Sequence, residues 1–260
     1  MTKHPKAVFL DLDGTLYFKG SLIPGANSAI IELRKCGLQL RFLTNTDSKA
    51  DSQILKKLHS FGLDVLIEEI FTPVTALKQF MKNAPGKHWN LLLSDELLAD
   101  LQYEPINDNA SADYVVIGDI SDNLDYNRLN NAFQAIMAGA EIIALQKGRY
   151  FIQSNGYNLD TGAFVALFEY ATSKMARVLG KPSPDFFNLA LGTLGYCPED
   201  IIIVGDDVST DILGAEQIGA ISILVKTGKY TDEALSESVH KPDYICTSVR
   251  DIIPILKELQ

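Results

Sequence analysis

The chain alternates between short apolar runs and stretches in which apolar residues recur three and four positions apart. Nine runs read as strands: "AVFLD", "LQLRFLTN", "NLLLSD", "YVVIGD", "EIIALQ", "ARVLG", "IIIVGDD", "ISILVKT" and "DYICT". Most of the segments between them carry the helical period. "PGANSAIIELRKCG" predicts a helix with Pro24 at its start and Gly37 just past its end, and "SKADSQILKKLHSFG" predicts another of the same kind. Strands that are apolar throughout and spaced by helices imply a parallel sheet covered on both faces. The expected class is therefore α/β, with a doubly wound parallel sheet.

Residues 85–175 differ in texture, opening with "APGKHWN" and containing the turn-rich "YEPINDNASAD" and "QSNGYNLDTG". They are expected to form a second, inserted α/β domain, leaving 1–84 and 176–260 as the core. A length of 260 residues with 47% hydrophobic content is enough for one large core or two modest ones. No apolar run approaches the ~20 residues that span a bilayer, and "MTKHPKAVFLDLDG" does not read as a secretory signal. Cys36, Cys197 and Cys246 form no CxxC pattern and read as small buried thiols in a reducing cytoplasm. The formal net charge of −10 argues against nucleic acid and anionic membranes as partners. An anionic substrate would need a local positive site.

In an open parallel sheet, ligands bind beyond the carboxyl ends of the strands. "VFL" leads there to Asp11 and Asp13, "RFL" to Thr44 and Asn45, and "RVLG" to Lys181. "IIIVG" leads to Asp206 and Asp207, with Asp211 one helical turn on. Singly, each has an ordinary explanation, since Asp and Asn cap turns and helices and a lone lysine is usually solvated. Four matched strand ends together point to one crevice. Asp11 and Asp13, two positions apart, could face one pocket, where a cation or a proton must separate them. Mg²⁺ takes carboxylate oxygens together with phosphate oxygens, and Asp206 would complete such a cluster. Carboxylates also attack phosphorus, and Gly14 would let backbone N–H groups approach a phosphate.

"DLDGTL", "FLTN", "GKPSP" and "GDDVSTD", in that order, resemble the four motifs of the haloacid dehalogenase superfamily of phosphohydrolases. The resemblance covers essentially the whole chain. The insert resembles the α/β cap of the type IIA group, where "GTLYFKGSLIPGA" is a usual opening. The resemblance implies that Asp11 is the nucleophile and that Asp13 is the general acid and then base. It implies that Thr44 and Asn45 hold the phosphoryl group and that Lys181 neutralises it. Mg²⁺ would be held by Asp11, Asp206 and the Asp13 main-chain carbonyl, with Asp207 and Asp211 supporting from behind.

The insert's "LNNAFQAIMAGAEIIALQKGRYF" and "GYNLDTGAFVALFEYAT", with "VLGKPSPDFF", resemble the phospholysine phosphohistidine inorganic pyrophosphate phosphatase branch. That implies pyrophosphate, phosphoamides or small phosphate esters as substrates, and pairing through the cap as a homodimer. The NagD-type nucleotidases usually carry Asn-Pro-Asp where this chain reads "QKGRYF". A broad sugar-phosphate or nucleotide phosphatase of that type is the alternative, and an idle phosphate-binding protein is the alternative of another class. A phosphotransferase could use the same intermediate. Within the insert, Asp119 reads as a strand-end turn that mimics Asp206, while Lys147, Arg149 and Tyr150 are candidates to reach the substrate. His4, His59, His88 and His240 fall outside every motif.

Overall fold

The computed structural model describes residues 4–103, 112–153 and 156–259. Along the chain the elements are β1 (Ala7–Asp11), β2 (Tyr17–Phe18), β3 (Ser21–Leu22), α1 (Ala26–Lys35), β4 (Gln39–Leu43), α2 (Asp51–Ser60), β5 (Ile70–Phe71) and α3 (Pro73–Asn83). Next come β6 (Trp89–Leu92), α4 (Asp95–Asp100), β7 (Tyr114–Ile117), α5 (Tyr126–Ala138), β8 (Glu141–Ala144), β9 (Tyr150–Gln153), β10 (Gly156–Leu159), α6 (Thr161–Thr172) and β11 (Arg177–Val178). The last are α7 (Pro184–Gly192), β12 (Ile201–Gly205), α8 (Leu213–Ile218), β13 (Ile221–Val225), α9 (Asp232–Glu237), β14 (Tyr244–Cys246) and α10 (Ile252–Leu259).

Each of the nine apolar runs carries a strand, and both expected helices form, as α1 and α2. The chain divides into two compact units. One comprises Met1–Thr44, Asp51–Phe71 and Lys181–Gln260, and the other Asn45–Ala50 and Thr72–Gly180.

The first unit is built on a parallel sheet of six strands in the order β14-β13-β12-β1-β4-β5. Every residue of β1 and β12 is buried, which is what all-apolar strands require when helices cover both faces. Val8 and Leu10 of β1 pack with Ile30 and Leu33 of α1 and with Ile252 and Leu256 of α10. On α8, Gly214 lies so close under the Phe187 ring that a side chain there would collide with it. Beyond the nine runs, β2 and β3 form a small antiparallel hairpin, and β5 adds two residues to the sheet edge.

The second unit holds a parallel sheet of four strands, β11-β8-β7-β6, with a separate antiparallel hairpin of β9 and β10. Its core gathers Val115 and Ile117 of β7, Ile142 of β8, Ile136 of α5 and Phe168 of α6. Its long segment runs from Thr72 to Gly180 where the sequence pattern placed the insert at 85–175, and Asn45–Ala50 joins it. The reason is aromatic: Phe80 of α3 meets Trp89 of β6 and Tyr114 of β7 edge to face, so α3 belongs to this core. "YEPINDNASAD" lies largely outside the described residues. "QSNGYNLDTG" is not all turn, because Gly156–Leu159 pairs with Tyr150–Gln153; residues 154–155 of that stretch lie outside the described ones. No helix among the described residues is long and apolar enough to cross a membrane.

Candidate active site

Strand β1 sits between β12 and β4. From β1 the chain steps outward through β4 to β5, then returns at β12 and steps outward the other way through β13 to β14. The order reverses beside β1, and in doubly wound sheets that reversal opens a crevice at the strands' carboxyl ends. Register brings the ends level. Leu10 pairs with Val204, and Asp11 with Leu43, so Asp11, Thr44 and the residues after Gly205 leave the sheet together.

The crevice is acidic, with one cation in its floor. Asp11, Lys181, Asp206 and Asp211 are all at least nine-tenths buried. Lys181 Nζ donates to Asp11 Oδ1, and to Asp211 Oδ1 at 2.8 Å. One carboxylate oxygen from each of Asp11, Asp206 and Asp211 lies within 4.8 Å of the other two. Burial, with Asp11 next, pushes the Asp206 carboxyl up to about 8. Burial likewise pushes Asp211 up to about 7, against the pull of Lys181. Burial would lower Lys181, but Asp11 and Asp211 more than offset it and hold the ammonium above its usual range. Carboxylates crowded this way bind a proton or a cation.

β1 ends at Asp11, so strand alternation does not reach Asp13. Asp13 is exposed and forms an isolated bridge with Tyr17, and its side chain is not part of the three-carboxylate cluster. Its carboxyl is raised by partial desolvation, with Lys57 opposing and Asp11 adding to the rise. Thr44 is buried at the end of β4, where its N–H donates to the Phe71 carbonyl at 3.3 Å. Asn45 belongs to the second unit, where Gly180 leaves room for its side-chain oxygen.

Asp207 caps the turn that follows β12, accepting from the Ser209 N–H at 2.9 Å and its hydroxyl at 2.6 Å. Asp211 joins the cluster itself, with Oδ1 on Lys181 and Oδ2 accepting the Asp207 N–H at 3.3 Å. In the second unit, Lys147 is held by Glu169 at 2.8 Å, Arg149 and Tyr150 are exposed, and Asp119 closes a turn by accepting the Ser121 N–H.

The donor set fits a hard divalent cation. Asp11 Oδ2 is buried without a hydrogen-bond partner among the described residues, an arrangement that is costly unless a ligand satisfies it. The Asp11 carboxylate belongs to a cluster of carboxylate oxygens, the chemistry that Mg²⁺ prefers. Both oxygens of Asp211 are already engaged, which leaves Asp11 and Asp206 as the pair better able to hold a cation.

The sequence reading missed the loop after β13. Lys229 donates its N–H to Asp206 Oδ2 at 2.6 Å, and its Nζ lies 3.3 Å from Asp207 Oδ2. The Thr227 hydroxyl donates to the Gly14 carbonyl at 2.5 Å. The available signal was positional: "ISILVKT" is one more strand whose carboxyl end opens on the same edge.

The fold and this crevice are those of a hydrolase with a carboxylate centre in a doubly wound sheet. Comparison with known proteins agrees. Residues 8–104 match the haloacid dehalogenase-like hydrolase family, and residues 178–252 match a HAD-hydrolase-like family. The chain is 38% identical to haloacid dehalogenase-like hydrolase domain-containing protein 2 of Rattus norvegicus, over 92% of this chain and 91% of that protein. It is also 38% identical to the phospholysine phosphohistidine inorganic pyrophosphate phosphatase of Xenopus laevis, over 86% of this chain and 84% of that one. Among solved structures, p-nitrophenyl phosphatase from Archaeoglobus fulgidus aligns with a TM-score of 0.87 at 28% identity, covering 97% of this chain and 99% of that one. The chain belongs to the haloacid dehalogenase-like hydrolase family. It is a hydrolase, and it groups with members named as phosphatases.

Proposed function

We propose that the protein is a Mg²⁺-dependent phosphohydrolase that works through an aspartyl-phosphate at Asp11. The observation that carries this reading is the buried Lys181 bridging Asp11 and Asp211 while Asp11 Oδ2 stays unpartnered. An anionic nucleophile is thereby oriented by one cation and keeps an oxygen available. An Asp11 oxygen attacks phosphorus, and the bond from phosphorus to the leaving oxygen or nitrogen breaks. Asp13, whose carboxyl burial raises, gives its proton to the leaving atom. It then takes a proton from the water that attacks the phosphorus, which releases phosphate and restores Asp11. Thr44, Asn45 and Lys181 hold the phosphoryl oxygens. Mg²⁺, held by Asp11, Asp206 and the Asp13 main-chain carbonyl, would offset charge on the transferring group.

The substrate is a small phosphorylated molecule: pyrophosphate, a phosphoamide or a small phosphate ester. The named activity of the Xenopus laevis relative supports the first two, and the name of the Archaeoglobus fulgidus structure supports esters. The three thiols are not buried as the sequence led us to expect: Cys36 and Cys197 are exposed and Cys246 is half-buried. All three are free, which supports a cytoplasmic setting. The test is phosphate release across pyrophosphate, imidodiphosphate, phospholysine, phosphohistidine, nucleotides and sugar phosphates, with and without Mg²⁺. Preference for the first four supports the branch, and preference for the last two moves the protein to the broad or NagD-type alternative. No turnover on any compound would leave only a phosphate-binding role.

A further inference from the structure

We propose that Thr227 is a positioning residue for the divalent-cation site, acting through the loop of residues 227–229 on Asp206 and on the turn after Asp13. This inference rests on the cation reading above and names what holds its ligands in place.

Four contacts converge. The Thr227 hydroxyl donates to the Gly14 carbonyl at 2.5 Å. The Gly14 N–H donates in the other direction, to the Tyr17 carbonyl at 2.7 Å. Both peptides that flank Gly14 are thus anchored, and because a trans peptide points its N–H and C=O oppositely, the second bond also fixes where the Asp13 carbonyl points. Asp206 Oδ2 is wedged between two glycines, Gly14 at φ +99° and Gly228 at φ +63°, and a Cβ on either would run into that oxygen. Finally, the Lys229 N–H donates to the same oxygen at 2.6 Å. A slot closed by two glycines and one N–H, and tied across to β1 by one hydroxyl, leaves the carboxylate little freedom.

A threonine at this point in a chain commonly caps the next helix. Here that role falls to Thr231, whose hydroxyl oxygen accepts the Ala234 N–H at 3.0 Å at the start of α9. Thr227 instead spends its hydroxyl across the crevice. Groups that orient metal ligands typically change cation affinity by about 10–100-fold when removed.

The test is calorimetric titration of Mg²⁺ and Mn²⁺ into the whole protein without substrate, alongside a thermal melt. Wild type is compared with Thr227→Val, Thr227→Ala, Thr227→Ser and Asp206→Asn. Both variants that lack the hydroxyl should bind the cation at least about 10-fold more weakly, while Thr227→Ser should bind like wild type. If Thr227→Val and Thr227→Ala bind as tightly as wild type while Asp206→Asn does not, the role of Thr227 is refuted and the cation site stands. If wild type binds no better than Asp206→Asn, the cation reading itself fails and this inference fails with it. Two variants without the hydroxyl keep the test decisive should one of them not fold.

Discussion

Lys181 and Asp211 form an ion pair of 2.8 Å between side chains with 4% and 1% of their surface exposed. A pair so deeply buried contributes little net stability, but removing one partner strands the other without solvent. Lys181 carries two such partners, since it also donates to Asp11. Lys181→Met should therefore lower the unfolding free energy by about 3–5 kcal/mol and abolish turnover. Adding Asp211→Asn to that variant should recover part of the stability and none of the activity. Chemical denaturation of the single and double variants, with phosphate release on each, checks both statements.

Asp13 stands outside the cluster, bridged to Tyr17, with its carboxyl raised by desolvation. As the group that protonates the leaving atom, it matters most when that atom is a poor leaving group. Asp13→Asn should slow hydrolysis of an alkyl phosphate by about 10²–10⁴-fold and slow p-nitrophenyl phosphate far less. Equal losses on the two substrates would assign Asp13 another role.

Asp47 yields a stability prediction away from the chemistry. Its buried carboxylate accepts the Thr161 hydroxyl at 2.6 Å, and burial pushes the carboxyl up to about 7, with Asp160 and Asp119 adding to the rise. In the unfolded chain the group titrates near pH ~3.9. Between these values the folded state holds the extra proton, so this contribution to stability is complete below about pH 4 and is lost as the pH rises to about 7. Asp47→Asn keeps an acceptor for Thr161 and removes the titration. It should match wild type below about pH 4 and exceed it at pH 8 by at most about 4 kcal/mol, from roughly three pH units at ~1.36 kcal/mol each. Urea unfolding at the two pH values reads this directly, and a pH-independent difference would contradict it.

The sequence carried the strands and their carboxyl ends because every strand at the centre of either sheet is buried on both faces. "AVFL" and "IIIVG" are apolar without interruption, and the first polar residues after them are those of the crevice. The strands missed, β2, β3, β5, β9 and β10, carry no such signal. Ile70–Phe71 is two residues long, and "GYNL" alternates too weakly to be told from a turn. The domain boundary was missed because α3 has a helical pattern that fits either core, and only the meeting of Phe80 with Trp89 and Tyr114 decides. Thr227 and Lys229 were invisible for a related reason. Their partners, Gly14 and Asp206, are distant in sequence, and the relation exists only once β13 lies beside β12 and β12 beside β1.

The central claim is that the phosphoryl group passes through Asp11. The measurement that tests it most directly is rapid quenching of the protein during turnover, followed by borohydride reduction and peptide mapping. An acyl phosphate is reduced to an alcohol, which marks the carboxylate that bore it. The account predicts that mark at Asp11 alone, formed only with substrate present, with Asp11→Asn unmarked and inactive. A mark on another residue, or full turnover by Asp11→Asn, would contradict it.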